Sequence, residues 1–224
     1  MKNRNRASYE KLIRMVVVAV FCALAYVSQF VFRIHVSFLT FDAKDAVMAI
    51  AAMIFGPIWG VVMALLVSFL EFMTISGTGV YGLIMNFASS AAFCAISAGV
   101  YKYKRTMTGA VMALVTAVLG TTALMMLLNV LVTPYYMTGG SVEAVVAILP
   151  TLLLPFNLTK TVMNAALVLV LYKPVSVALK KARILKGGPD SFTWDKKTIL
   201  VMVGGLALIA ACVTVFLIAL GGTI

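Results

Sequence analysis

The stretch over residues 46–73, AVMAIAAMIFGPIWGVVMALLVSFLEFM, is almost continuously apolar, and its division decides the topology of the chain. It reads either as one long helix or as two helices broken at Gly56-Pro57. Positive charge separates the two readings. If the chain breaks, fifteen basic residues share the N-terminal side, and only Arg33 and Lys44 lie opposite, with Lys160 inside a span. If it does not break, the basic loop at 102–105 and the segment 173–197 fall on the side away from the basic N-terminus. Lysine and arginine gather in cytoplasmic loops, so the break is favoured. Proline also pushes the residue before it out of helical geometry.

Composition agrees with a membrane setting. The chain has 224 residues, 63% hydrophobic and 11% charged, with a formal net charge of +11. Soluble domains are far less apolar. A basic chain of this kind excludes nucleic-acid binding as the simplest reading, because the charges sit in short loops between apolar runs. Cys22, Cys94 and Cys212 lie inside such runs and read as small buried hydrophobes. His35 is the only histidine, and it has no partner for metal or catalytic work.

Working outward, the spans are expected at 15–32, 45–55, 58–73, 80–100, 107–132, 150–172 and 198–220. The first is read as a retained span rather than a cleaved signal, since its apolar run continues through Phe32. Within it, Ala19 and Ala23 place two small residues on one face, which allows close helix approach. Residues 33–45 alternate imperfectly with period two and read as an extended hairpin or lid. The second span is too short to cross a bilayer alone, so it must be shielded by neighbours.

This topology carries polar residues from distant parts of the chain to the outer end of one bundle. Phe41, Asp42, Lys44 and Asp45 lie in the first external loop. Glu71 lies near the end of span three, and Tyr81 and Asn86 near the start of span four. Asn129 lies near the end of span five, and Asn157, Lys160 and Asn164 descend span six. The last three are spaced i, i+3, i+7, one helix face. Interhelical hydrogen bonding accounts for one or two asparagines, but not for an ammonium at membrane depth. The polarity stops partway down, which suits a closed-bottomed pocket better than a channel. Asparagine offers donor and acceptor together and suits a neutral ligand with amide-like edges. Tyr81, Tyr135, Tyr136, Phe41 and Phe156 are candidates to pack on a flat ring.

No phosphate-binding loop of the Gly-x-x-x-x-Gly-Lys-Ser/Thr type occurs, and no nucleophile–base pair or metal-ligand cluster is recognisable. The chain reads as a non-enzyme with no cofactor of its own. If it transports uphill, a partner must supply the energy.

Several stretches match one family: Phe41-Asp42-Ala43-Lys44-Asp45, Phe55-Gly56-Pro57, Met85-Asn86-Phe87, Thr133-Pro134-Tyr135-Tyr136-Met137 and Pro155-Phe156-Asn157-Leu158-Thr159-Lys160. The chain resembles the riboflavin-specific S component, the substrate-binding membrane subunit of energy-coupling factor (ECF) transporters. The resemblance implies an all-α bundle of six helices over 1–185 that binds riboflavin from outside, with the first external loop closing over it. It implies that Asn129, Asn157 and Lys160 meet the flavin ring, and that residues around Asp42 and Lys44 meet the ribityl chain or form the lid. It also implies that Ala19 and Ala23 face a transmembrane coupling subunit, itself carrying two cytoplasmic ATPases. Residues 186–224 depart from the pattern and add a basic linker and a seventh apolar helix. The N-terminus is then expected inside the cell and the C-terminus outside. A carrier for another vitamin or a flavin nucleotide, and a scaffold whose asparagines only join helices, remain as alternatives.

Overall fold

The computed structural model describes residues 2–31, 33–36, 39–136, 141–182, 184–185 and 196–221. Helix α2 (Lys44–Phe55) ends at Gly56, and α3 (Pro57–Thr74) begins one residue later. Gly56 has φ of 112°, a left-handed conformation that disfavours any side chain. Pro57 occupies the first turn of α3, where no N–H is needed. The break that charge distribution demanded is therefore built by the residue pair suited to make it.

Helix α1 (Lys2–Val31) leads into a small antiparallel hairpin, β1 (Ile34–Val36) and β2 (Leu39–Phe41), in the register Ile34↔Phe41 and Val36↔Leu39. This is the extended element read from the alternation; Ser37 and Phe38 lie outside the described residues. Helix α2 follows directly. Its twelve residues span about 18 Å, short of the roughly 30 Å of a bilayer core. It survives because α1, α3, α4 (Gly79–Tyr103) and α7 (Leu154–Lys181) pack around it. Met48, Ala49, Ala51 and Ala52 are fully buried there and form the centre of the core.

Helix α5 (Met107–Val132) starts on a side-chain cap: the Thr106 hydroxyl accepts the Gly109 N–H at 3.1 Å. The sixth span differs from expectation. A short helix α6 (Val142–Ile148) and a π-helical turn (Leu149–Leu153) join α7, so one apolar segment runs from Val142 to Lys181. Pro150 and Pro155 lie in the first turns of the π segment and of α7, where a missing N–H costs least. Pro174 lies inside α7, yet the helix continues past it. Helix α8 (Lys196–Gly221) packs on α7. A Cβ at Gly205 would lie 2.9 Å from Val170 Cγ2 and 3.2 Å from the Ala166 carbonyl, so this crossing needs glycine.

Among the described residues, five helical segments are long and apolar enough to cross a membrane: Lys11–Val31, Pro57–Thr74, Gly79–Tyr103, Met107–Tyr135 and Val142–Lys181. Helix α2 and the apolar part of α8, Ile199–Cys212, are shorter. The protein is all-α apart from the hairpin and is a multi-pass membrane protein. Of the six bundle helices plus one expected, five are long and apolar enough among the described residues to cross unaided, and α2 is short, as its sequence required.

Candidate functional site

Because successive long helices alternate in direction, the end of α3, the start of α4, the end of α5 and the start of α7 meet at one end of the bundle. A cavity of about 480 Å³ opens there, within the usual range for small-molecule sites. Seven residues singled out in the sequence line it: Glu71, Asn86, Asn129, Tyr136, Phe156, Asn157 and Lys160. Leu39 and Thr40 of β2 close one side, and Ile75, Ser76, Gly77 and Thr78 of the α3–α4 loop another.

Lys160 is 8% exposed. Its ammonium donates to Asp42 Oδ2 at 2.9 Å and to the Thr40 carbonyl at 3.2 Å. An ammonium has three N–H groups, so one stays available to the cavity. Both occupied bonds go to the hairpin segment, which ties it to α7. Behind this pair lies a second cation, Lys44, 1% exposed. It is hydrogen-bonded to Glu71 and stands 3.9 Å from Asp42 Oδ2. Asp45 accepts from the Ser90 hydroxyl. Buried charges persist only when paired and hydrogen-bonded, and this network meets that requirement for both lysines.

The three amides that line the cavity differ from the one that does not. Asn129 donates to the Met125 carbonyl at 2.7 Å and accepts from Thr133 Oγ1 at 2.9 Å, leaving one N–H and one lone pair. Asn157 donates to the Leu153 carbonyl at 2.8 Å, and no donor among the described residues reaches its Oδ1. Asn86 makes no side-chain hydrogen bond among the described residues. Asn164 is different: it accepts from Ala46 N at 2.9 Å and donates to the Asp42 and Lys160 carbonyls at 3.1 and 3.0 Å. It pins the start of α2 to α7 and does not line the cavity.

The remaining candidates support the rim. Phe41 packs on Phe156 with centroids 4.5 Å apart, and Phe156 lines the cavity while Phe41 does not. Tyr81 stacks with Tyr135 and Tyr136 at 6.2 and 5.9 Å, and of these only Tyr136 reaches the cavity wall. Asp42 and Lys44 do not line the cavity but contact Lys160 and Glu71, which do. Ala19 and Ala23 are exposed on the outer face of α1, away from the cavity.

Sequence reasoning passed over Arg33, Thr40, Met85, Ser89 and Met125 as lining residues. Arg33 donates from Nη2 to the Ile75 carbonyl at 3.3 Å and so braces the α3–α4 loop. Thr40 contributes a backbone carbonyl, for which residue type gives no signal. The site thus presents amide donors and acceptors, one ammonium N–H and aromatic packing. It is equipped to hold a small molecule with hydrogen-bonding edges.

The chain is similar to known proteins over most of its length. The model of the family described as "ECF transporter, substrate-specific component" matches residues 13–172. The Riboflavin transporter RibU of Staphylococcus aureus (strain TCH60) is 26% identical over 190 residues, covering 81% of this chain and all of that protein. A solved S component of a bacterial ECF transporter superposes with a TM-score of 0.64 at 27% identity, over 75% of this chain and 97% of its own. A short, buried α2 behind a polar cavity, in a chain matched by this family over most of its length, leaves one conclusion: the protein belongs to the substrate-specific components of ECF transporters.

Proposed function

We propose that this chain takes up riboflavin, binding it in the cavity from outside the cell and delivering it inward together with an ATP-driven ECF coupling module. The observation that carries the reading is the set of unspent hydrogen-bonding groups on Asn86, Asn129, Asn157 and Lys160 around one cavity. A flavin ring system carries a carbonyl–imide–carbonyl edge, for which amides and an ammonium are complementary. Its polyhydroxylated side chain suits the hydroxyls of Ser76 and Thr78 nearby. The aromatic surface of Phe156 and Tyr136 suits its flat rings. Asn129, Asn157 and Lys160 read the ring edge. Phe41, Asp42 and Lys44 belong to the lid and its latch, and Glu71 holds Lys44. Tyr81 and Asn164 position the rim and α2.

The N-terminus lies in the cytoplasm and the C-terminus outside. Residues 1–185 form the substrate-binding bundle, and 186–224 add a linker and the extra helix α8. The coupling subunit, which carries two ATPases, docks on the exposed Ala19–Ala23 face of α1. Purified protein is expected to carry a yellow chromophore that mass spectrometry identifies as riboflavin. A colourless preparation that riboflavin does not quench or stabilise would reject the reading. Replacing Ala19 or Ala23 with leucine is expected to abolish vesicle uptake while leaving riboflavin titrations unchanged. Parallel loss of both would move α1 from the coupling face to the pocket.

A further inference from the structure

The cavity has two walls of different chemistry. The α5–α7 wall carries Asn129, Asn157 and Lys160, two amides and an ammonium. The α3–α4 wall carries Glu71, Asn86 and Ser89. Among the described residues that line the cavity, Glu71 is the one carboxylate. It is buried, and it spends Oε2 on the Lys44 ammonium. No donor among the described residues reaches Oε1, which stays open to the cavity. Asn86 and Ser89 lie three residues apart on one face of α4, about 4.5 Å apart along its axis. Neither side chain makes a hydrogen bond to a described residue, although Ser89 is buried.

We propose that the α3–α4 wall is a polyol subsite, in which Glu71 Oε1 accepts a hydrogen bond from a hydroxyl of the ligand's chain and Asn86 and Ser89 hold neighbouring hydroxyls. This role rests on the flavin reading above and gives Glu71 a second task besides holding Lys44. Polar groups at membrane depth normally find partners within the fold. Three on one wall without them mark a place kept for a ligand. Each hydroxyl of a polyol brings one donor and two acceptor positions. A carboxylate is the acceptor-only partner for that donor, and hydrogen bonds to a charged group are stronger than neutral ones. Charge narrows the ligand further. Lys44 already compensates Glu71, so a second cation gains little there. An anionic group such as a phosphate would meet the carboxylate. Neutral hydroxyls meet neither obstacle, and a short chain of them bridges the spacing from Asn86 to Ser89.

The test compares riboflavin with lumiflavin, which has the same rings and a methyl group in place of the polyol chain, by fluorescence titration of the purified full chain. Wild type is expected to bind riboflavin tighter by roughly tenfold or more. Glu71→Gln is expected to weaken riboflavin roughly tenfold and to leave lumiflavin unchanged, so the preference shrinks by that factor. Ser89→Ala, which touches no charge, narrows it by a smaller factor. A residue that only braced α2 through Lys44 would lower both flavins alike, so equal loss in Glu71→Gln overturns the proposal. An unchanged preference overturns it as well. Should Glu71→Gln fail to elute as a monodisperse peak, Glu71→Gln/Lys44→Met removes both buried charges and carries the same expected outcome. Equal affinity of the wild type for the two flavins overturns the subsite without any variant. Binding of neither flavin rejects the flavin reading and the subsite with it, whereas tight lumiflavin binding with an unaltered preference in the variant strikes Glu71 alone.

Discussion

Lys160 has three N–H groups, and the fold occupies two of them with the lid: Asp42 at 2.9 Å and the Thr40 carbonyl at 3.2 Å. Two consequences separate in a double-variant experiment. Lys160→Met keeps the aliphatic stem but removes the donor, and riboflavin binding is expected to weaken by about 1.5–3 kcal/mol, roughly ten- to hundredfold. It also takes from Asp42 its nearer cation, leaving Lys44 at 3.9 Å and the Lys44 backbone N–H, so the stability cost lies below the roughly 3–5 kcal/mol of a fully orphaned buried charge. Asp42→Asn/Lys160→Met is therefore expected to recover part of the lost melting temperature without recovering affinity. Isothermal titration and thermal unfolding read the two effects separately, and full affinity in Lys160→Met would sink the assigned role. At this scale the sequence was partly legible. An ammonium and several amides at membrane depth declare themselves by residue type. Spacing alone does not distinguish Asn157, which keeps an open oxygen, from Asn164, seven residues further along the same helix, whose oxygen accepts from α2 and whose two N–H groups go to Asp42 and its own turn. The difference lies in which neighbour fills the space beside each, and that is a tertiary fact.

Helix α2 was the element most readable from sequence, because both its brevity and its Gly56 terminus are local properties. What made it tolerable, the ring of α1, α3, α4 and α7, was deducible only as a requirement. The junction of α6 and α7 was less readable: Pro150 and Pro155 resemble breakers until their place in first turns is known. The α2–α3–α4 contact makes a specific demand. A Cβ at Gly60 would lie 2.7 Å from Ala52 Cβ and 2.8 Å from Cys94 Cβ, closer than carbon atoms tolerate. Gly60→Ala is expected to cost about 1–3 kcal/mol through overpacking, seen as a lower melting temperature in detergent. An unchanged melting temperature would show that the three helices part without penalty.

For the molecule as a whole, charge asymmetry supports the proposed orientation, and the alternation of long helices gave the meeting place of the polar residues. Neither reveals the seating of α8 on α7 at Gly205, since nothing in an apolar run says which neighbour it will choose. Orientation is open to direct measurement. A single cysteine at position 104, in a background lacking Cys22, Cys94 and Cys212, is expected to resist an impermeant thiol reagent in intact cells and to react after lysis. Reaction in intact cells would invert the molecule. The lid-to-α7 ion pair also has a meaning in time. Asp42 and Lys160 stand 118 residues apart in the chain, so the ribosome releases the acid long before its base. Through the making of α3, α4 and α5, Asp42, Asp45 and Glu71 share Lys44 as their only cation within the network. The account closes when α7 emerges. A chain halted before that point differs chemically from a finished one, by a carboxylate at the end of the nascent bundle still waiting for its partner.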